Sequence, residues 1–136
     1  MIAVGILGLL FSWPRVPFFP YSNIAGLIIL AIGLYGHKVP SKIHKQAHEH
    51  SKKIRKIITT GPYSKVRHPL YSFLFLIYFG FALSWGIVWM FIPAIIFSIL
   101  TYFTAIKEEE FLKKKFGKKY ENYMKRVPYR FVPKIF

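Results

Sequence analysis

The chain has no cysteine and no aspartate, and only five glutamates: Glu49, Glu108, Glu109, Glu110 and Glu121. Without cysteine, disulfides, thiolate nucleophiles and cysteine-held metals are excluded. Any chemistry that needs a carboxylate must draw on those five side chains. Acidic residues are outnumbered by 20 Lys and Arg, which leaves a formal net charge of +15 over 136 residues. Charge of either sign is missing altogether from residues 70–106, a run of 37. No internal repeat and no low-complexity linker interrupts the chain.

What is present fills the space between these absences. The chain is long enough for one domain, and it is 54% hydrophobic and 19% aromatic. A soluble protein of this size could not bury so much apolar surface. A nucleic-acid-binding protein could carry the charge but not the long uncharged run, so nucleic acid is not an expected partner. Apolar blocks alternating with basic blocks describe an integral membrane protein, all-α, whose lysines and arginines lie beside lipid headgroups.

Four hydrophobic segments are legible, at about Met1–Trp13, Tyr21–Gly36, Leu70–Ser84 and Ile87–Ile106, so about four transmembrane helices are expected. Pro14, Pro17 and Pro20 force a turn after the first. The first is short for a span of ~30 Å and is read as a retained helix, not a signal peptide. Gly26, Gly33 and Gly36 would let the second helix approach a neighbour closely. Pro93 is expected to break or bend the fourth.

Residues 37–68 hold nine Lys and Arg and residues 107–136 hold ten, against one, Arg15, elsewhere. The positive-inside rule then puts both termini, the long loop and the tail in the cytoplasm. A single domain, 1–136, would comprise an N-terminal hairpin (1–36), a basic loop (37–68), a second hairpin (69–106) and a tail (107–136). In the tail, Leu112, Phe116, Tyr120, Tyr123 and Met124 recur at helical spacing, which predicts an amphipathic helix over 107–126 interrupted at Gly117.

The candidate site is the stretch Gly61-Pro62-Tyr63-Ser64-Lys65-Val66-Arg67-His68-Pro69-Leu70-Tyr71 together with Glu108-Glu109-Glu110. A hairpin between them would bring both to one membrane face. His68 and Arg67 precede a proline suited to a helix start, where free amides favour an anion such as a carboxylate; the plainer reading is a helix start with Arg67 on a phosphate. Glu110 and Glu109 sit four residues before lysines and fit a solvated helical turn. Glu108 fits that less well, because a carboxylate near lipid is expensive. His44 and His48, at i and i+4, with His50 nearby, have two-ligand spacing, but no third ligand is placed and no metal site is expected.

These residues resemble the isoprenylcysteine carboxyl methyltransferase and phospholipid methyltransferase family of integral membrane enzymes. The likeness covers roughly Lys56–Pro133. One block runs from Ile57-Ile58-Thr59-Thr60-Gly61-Pro62-Tyr63 to Arg67-His68-Pro69-Leu70-Tyr71. The other is Glu108-Glu109, Leu112, Phe116-Gly117, Tyr120, Tyr123 and Val127-Pro128. The resemblance implies an S-adenosylmethionine-dependent methyltransferase that releases S-adenosylhomocysteine, with a pocket between hairpin and tail and a lipid or small lipophilic acceptor drawn from the membrane. It assigns cofactor contacts to Lys56, Ile57, Ile58, Tyr63, His68, Pro69, Leu70, Tyr71 and Glu108, catalytic roles to Glu108 and His68, and the acceptor side to Arg67, Glu109 and Thr104. Two departures stand out. Thr104 occupies a position that is arginine in the isoprenylcysteine branch, which weakens the case for a prenylcysteine carboxylate. Phe73 replaces a small residue at the pocket mouth. Two other classes remain open: a sterol-type reductase using NADPH, and a non-catalytic basic module that binds anionic lipid.

Overall fold

The computed structural model describes residues 1–43 and 56–135. Among them the elements are helical: α1 (Ile2–Leu10), α2 (Tyr21–Ile43), α3 (Pro69–Trp85), α4 (Phe91–Phe116) and α5 (Lys118–Arg126), with short 3-10 turns at Gly61–Ser64 and Val88–Met90. No strand forms among the described residues; the one extended pairing is an isolated bridge between Arg15 and Ile87.

Among the described residues, two stretches are long and apolar enough to cross a membrane, Tyr21–Ser41 and Val88–Phe116. Only 17% and 22% of their most apolar windows is buried within the protein. A soluble core helix would hide that surface; here Ile24, Leu27, Ile28, Ile32, Ile92, Ile95, Ile96, Ile99 and Leu100 are exposed, as lipid-facing side chains are. The other two expected spans are shorter. α3 has 17 residues, about 25 Å at the helical rise. α1 has only nine, about 14 Å, and ends at Leu10 rather than continuing to Trp13.

Two features differ from the sequence reading for local reasons. α2 runs past Gly36 and through Pro40 to Ile43, so the second helix is longer than its apolar stretch. Pro93 does not break α4: the helix starts at Phe91, and in the first turn a missing N–H is no loss. The helix expected beyond Lys107 forms as a continuation of α4 to Phe116, and Lys113, Lys114 and Lys115 occupy its last turn, where cations favour the helix dipole. Gly117, at φ +52°, then separates α4 from α5, as the interruption in the periodicity implied.

The residues form two compact units: Met1–Tyr35 with Phe73–Leu100, and Gly36–Ser72 with Thr101–Phe136. The first packs Ala82, Ile87, Met90 and Ala94, with Trp13, Trp85 and Phe91 against them. Small residues bring its helices to backbone contact: a Cβ on Gly26 would strike the backbone at Ser84, and one on Gly80 would lie 2.5 Å from the Leu30 nitrogen. The Asn23 amide donates to the Ser84 carbonyl at 2.9 Å and pins the same contact. The second unit packs Leu112, Tyr120, Tyr123 and Val127, with Ile57, Phe116 and Met124 around them, and holds the residues singled out above.

Candidate functional site

The second unit is built around one short run of backbone. After the 3-10 turn Gly61–Ser64, Val66, Arg67 and His68 are buried. The Arg67 amide donates to the Tyr129 carbonyl and the His68 amide to the Arg130 carbonyl, each at 2.9 Å. Arg67 Nη1 adds bonds to the carbonyls of Val127, at 2.8 Å, and of Pro128. Ser72 Oγ donates to the Phe131 carbonyl at 2.6 Å. The segment after α5 is thus held to the start of α3 by backbone and side chain together. Pro69 is the first residue of α3, a position where its fixed φ suits the helix and its absent donor is not needed.

α4 supplies the acidic partners. Glu109 has a side chain only 3% exposed. Its Oε1 accepts from Arg67 Nε at 2.8 Å and from His68 Nε2 at 3.1 Å, and its Oε2 faces Arg130 Nε at 3.2 Å. Glu108 is more open, at 22%. It accepts a hydrogen bond from the Tyr71 hydroxyl at 3.0 Å, and its Oε2 lies 3.8 Å from His68 Nδ1. The Tyr71 ring stacks on the His68 imidazole with centroids 5.4 Å apart, and Phe131 lies against the same imidazole. Because α4 continues beyond the glutamates, neither carboxylate faces the unfavourable end of a helix dipole.

These groups border a cleft lined by Lys56, Ile57, Ile58, Tyr63, Arg67, His68, Leu70, Tyr71, Glu108, Leu112, Tyr120 and Tyr123. Its walls are mainly aliphatic and aromatic, with Glu108 as the carboxylate and Lys56 and Arg67 as the cations. Burial first, and then the Glu108 carboxylate, push the Tyr63 phenol well above its ordinary range. Burial, and then the Glu109 carboxylate, do the same to Tyr120; Tyr123 is pushed up to about 12, again chiefly by burial. All three are neutral hydroxyls near pH 7. Tyr123 donates its proton to the Tyr63 carbonyl at 2.7 Å.

The residues singled out from sequence therefore separate. Lys56, Ile57, Ile58, Tyr63, His68, Leu70, Tyr71 and Glu108 share the cleft wall, as does Arg67. Pro69, Thr104 and Glu109 are not among the lining residues: Pro69 is buried in the first turn of α3, Thr104 is on an exposed face of α4, and Glu109 is buried among Arg67, His68 and Arg130. His44, His48 and His50 lie outside the described residues. Leu112, Tyr120 and Tyr123 join the wall without having been assigned to it. The three- and four-residue spacing of the tail had already marked them as one helical face, and what that face covers follows from how α4 and α5 are joined at Gly117. Arg130 carried no signal at all, since its pairing with Glu109 is set by the fold of the last segment.

The phospholipid methyltransferase family model matches this chain over residues 22–119. The matched stretch includes both the Arg67-His68-Pro69 run and the Glu108-Glu109 pair. Among curated proteins, none matches the chain significantly.

Proposed function

The chain belongs to the phospholipid methyltransferase family, a family of methyltransferases, and from that premise we propose that it transfers a methyl group from S-adenosylmethionine to a lipid or small lipophilic acceptor at the cytoplasmic face of a membrane. The observation that carries this reading is the cleft wall: eight of the nine residues that the resemblance assigns to the cofactor line one cavity, with Pro69 the exception.

The wall suits the cofactor's chemistry. Glu108 offers negative charge to a sulfonium or an ammonium. Ile57, Ile58, Tyr63 and Leu112 offer apolar and aromatic surface to a purine, and Lys56 offers a cation to a carboxylate. S-Adenosylmethionine, when bound, supplies the methyl group on a positively charged sulfur. The protein's own work is to bind, align and keep the reacting atoms together, which is where most of the acceleration of such a displacement arises. In the transfer, the methyl carbon exchanges its bond to sulfur for a bond to the acceptor's nucleophilic atom. A carboxylate acceptor releases no proton; an amine releases one, and the groups in the cleft wall able to take it are His68 and Glu108.

Topology extends the proposal. With 19 of 20 Lys and Arg in residues 37–68 and 107–136, the basic segments, both termini and the cleft belong on the cytoplasmic side. α1 and α3 complete the set of four spanning or partly spanning helices in a single domain, and the acceptor's tail stays in hydrocarbon while its head enters the cleft. Titration calorimetry of the detergent-solubilised chain against S-adenosylhomocysteine and against NADPH tests the reading. Binding of the first alone is expected; binding of NADPH alone would replace the methyltransferase with a reductase.

A further inference from the structure

Glu109 is the most deeply buried acid among the described residues, it does not line the cleft, and the proposed chemistry makes no use of it. We infer that Glu109 is a positioning residue: it fixes the His68 imidazole with its proton on Nε2, which leaves Nδ1 as an acceptor beside the Glu108 carboxylate, and the two form a paired seat for one N–H-bearing cation.

The geometry leads there in steps. Arg67 Nε, at 2.8 Å, and Arg130 Nε, at 3.2 Å, occupy both oxygens of Glu109. A carboxylate between two guanidinium groups is held ionised, and an ionised carboxylate only accepts hydrogen bonds. The contact of 3.1 Å between His68 Nε2 and Glu109 Oε1 therefore has the imidazole as donor. A neutral imidazole whose one proton is committed to Nε2 presents a lone pair at Nδ1. Nδ1 lies 3.8 Å from Glu108 Oε2, too far for a direct hydrogen bond. Two acceptors at this separation match one ammonium group donating to both. The Tyr71 ring, stacked on His68 with its hydroxyl on Glu108, holds the pair in register. The arrangement parallels second-shell carboxylates that set the tautomer of ligand-binding histidines elsewhere.

The cation's identity rests on the methyltransferase reading; the position of the proton does not. An ammonium could come from the amino-acid end of the cofactor or from an amine acceptor, so both are tested. The full chain, labelled with 15N in its five histidines, is examined in detergent at mildly alkaline pH, where an ordinary imidazole is neutral. The His68 signals are assigned by comparison with His68→Gln. The expected pattern is a protonated Nε2 and an unprotonated Nδ1. Glu109→Gln, whose amide can both donate and accept, should draw the two shifts toward each other, whereas Glu109→Asp should retain the wild-type pattern; melting curves establish that both variants are folded. Wild-type protein is then titrated with S-adenosylhomocysteine and, separately, with ethanolamine. A shift of Nδ1 with the first identifies the cofactor's ammonium, and a shift with the second identifies an acceptor's amine. A proton on Nδ1, a persistent imidazolium, an unchanged tautomer in folded Glu109→Gln, or an Nδ1 signal that neither titration moves although S-adenosylhomocysteine binds would overturn the inference. Failure of S-adenosylhomocysteine to bind, with the Nε2 proton in place, would count against the proposed function alone.

Discussion

Replacing Arg67 by methionine keeps most of the side chain's bulk and removes every donor. Three acceptors lose a partner: Glu109 Oε1, the Val127 carbonyl and the Pro128 carbonyl. Glu109 is too buried for water to take the guanidinium's place. Breaking a buried ion pair from one side costs about 3–5 kcal/mol. Arg130, which is 32% exposed, still faces the other oxygen and moderates the loss, so the low end, about 3 kcal/mol, is expected. The amides of Arg67 and His68 report it directly, because they donate to Tyr129 and Arg130 in the segment that Arg67 holds. Hydrogen exchange at those two amides should quicken roughly a hundredfold, each factor of ten being about 1.4 kcal/mol. Glu109→Gln alone leaves Arg67 on its two carbonyls and should cost about 1–3 kcal/mol. The double variant strands no buried charge, so it should be less destabilised than the sum of the singles by at least ~0.5 kcal/mol. Unchanged exchange in Arg67→Met, or strict additivity in the double variant, would refute the claim that this pair clamps the last segment.

Glu108→Gln removes the cleft's carboxylate while keeping its shape, and should weaken S-adenosylhomocysteine at least tenfold, about 1.4 kcal/mol, by calorimetry; Tyr71→Phe, which loses only the hydroxyl that orients Glu108, should cost about 0.5–1.5 kcal/mol. Gly80→Ala places a methyl group against the Leu30 backbone and should destabilise by about 1–3 kcal/mol through overpacking, read as a lower melting temperature. Stability should also fall in alkali: Tyr123 is raised from 10.0 to about 12 when folded, so the folded chain holds a proton that the unfolded chain releases, and the contribution is complete below pH 10 and lost as the pH rises toward 12. A melting temperature flat between those limits would show that Tyr123 is not enclosed as described.

Much of the helical layout was legible because hydrophobic runs and basic runs alternate so cleanly here. α2 and α4 could be placed from Tyr21 and from the uncharged run before Lys107, and the interruption at Gly117 from the tail's periodicity. The helix ends were less legible. α1 stops at Leu10, and α2 passes Pro40, a residue that by propensity ends helices. Pairings across 41 and 42 positions, His68 and Arg67 with Glu109, leave no local pattern. The adjacent glutamates look alike in sequence, yet successive helical residues point about 100° apart, and that rotation sends Glu108 to the cleft and Glu109 into the buried network with Arg130.

The most direct measurement is transfer of labelled methyl from S-adenosylmethionine into a total lipid extract by the purified chain, with the product identified by mass. The expected result is one labelled lipid or lipophilic species, formed by the wild type and lost in Glu108→Ala. No labelled product from lipid or from small lipophilic amines and thiols, with a folded protein, would contradict the assignment of this cleft to methyl transfer.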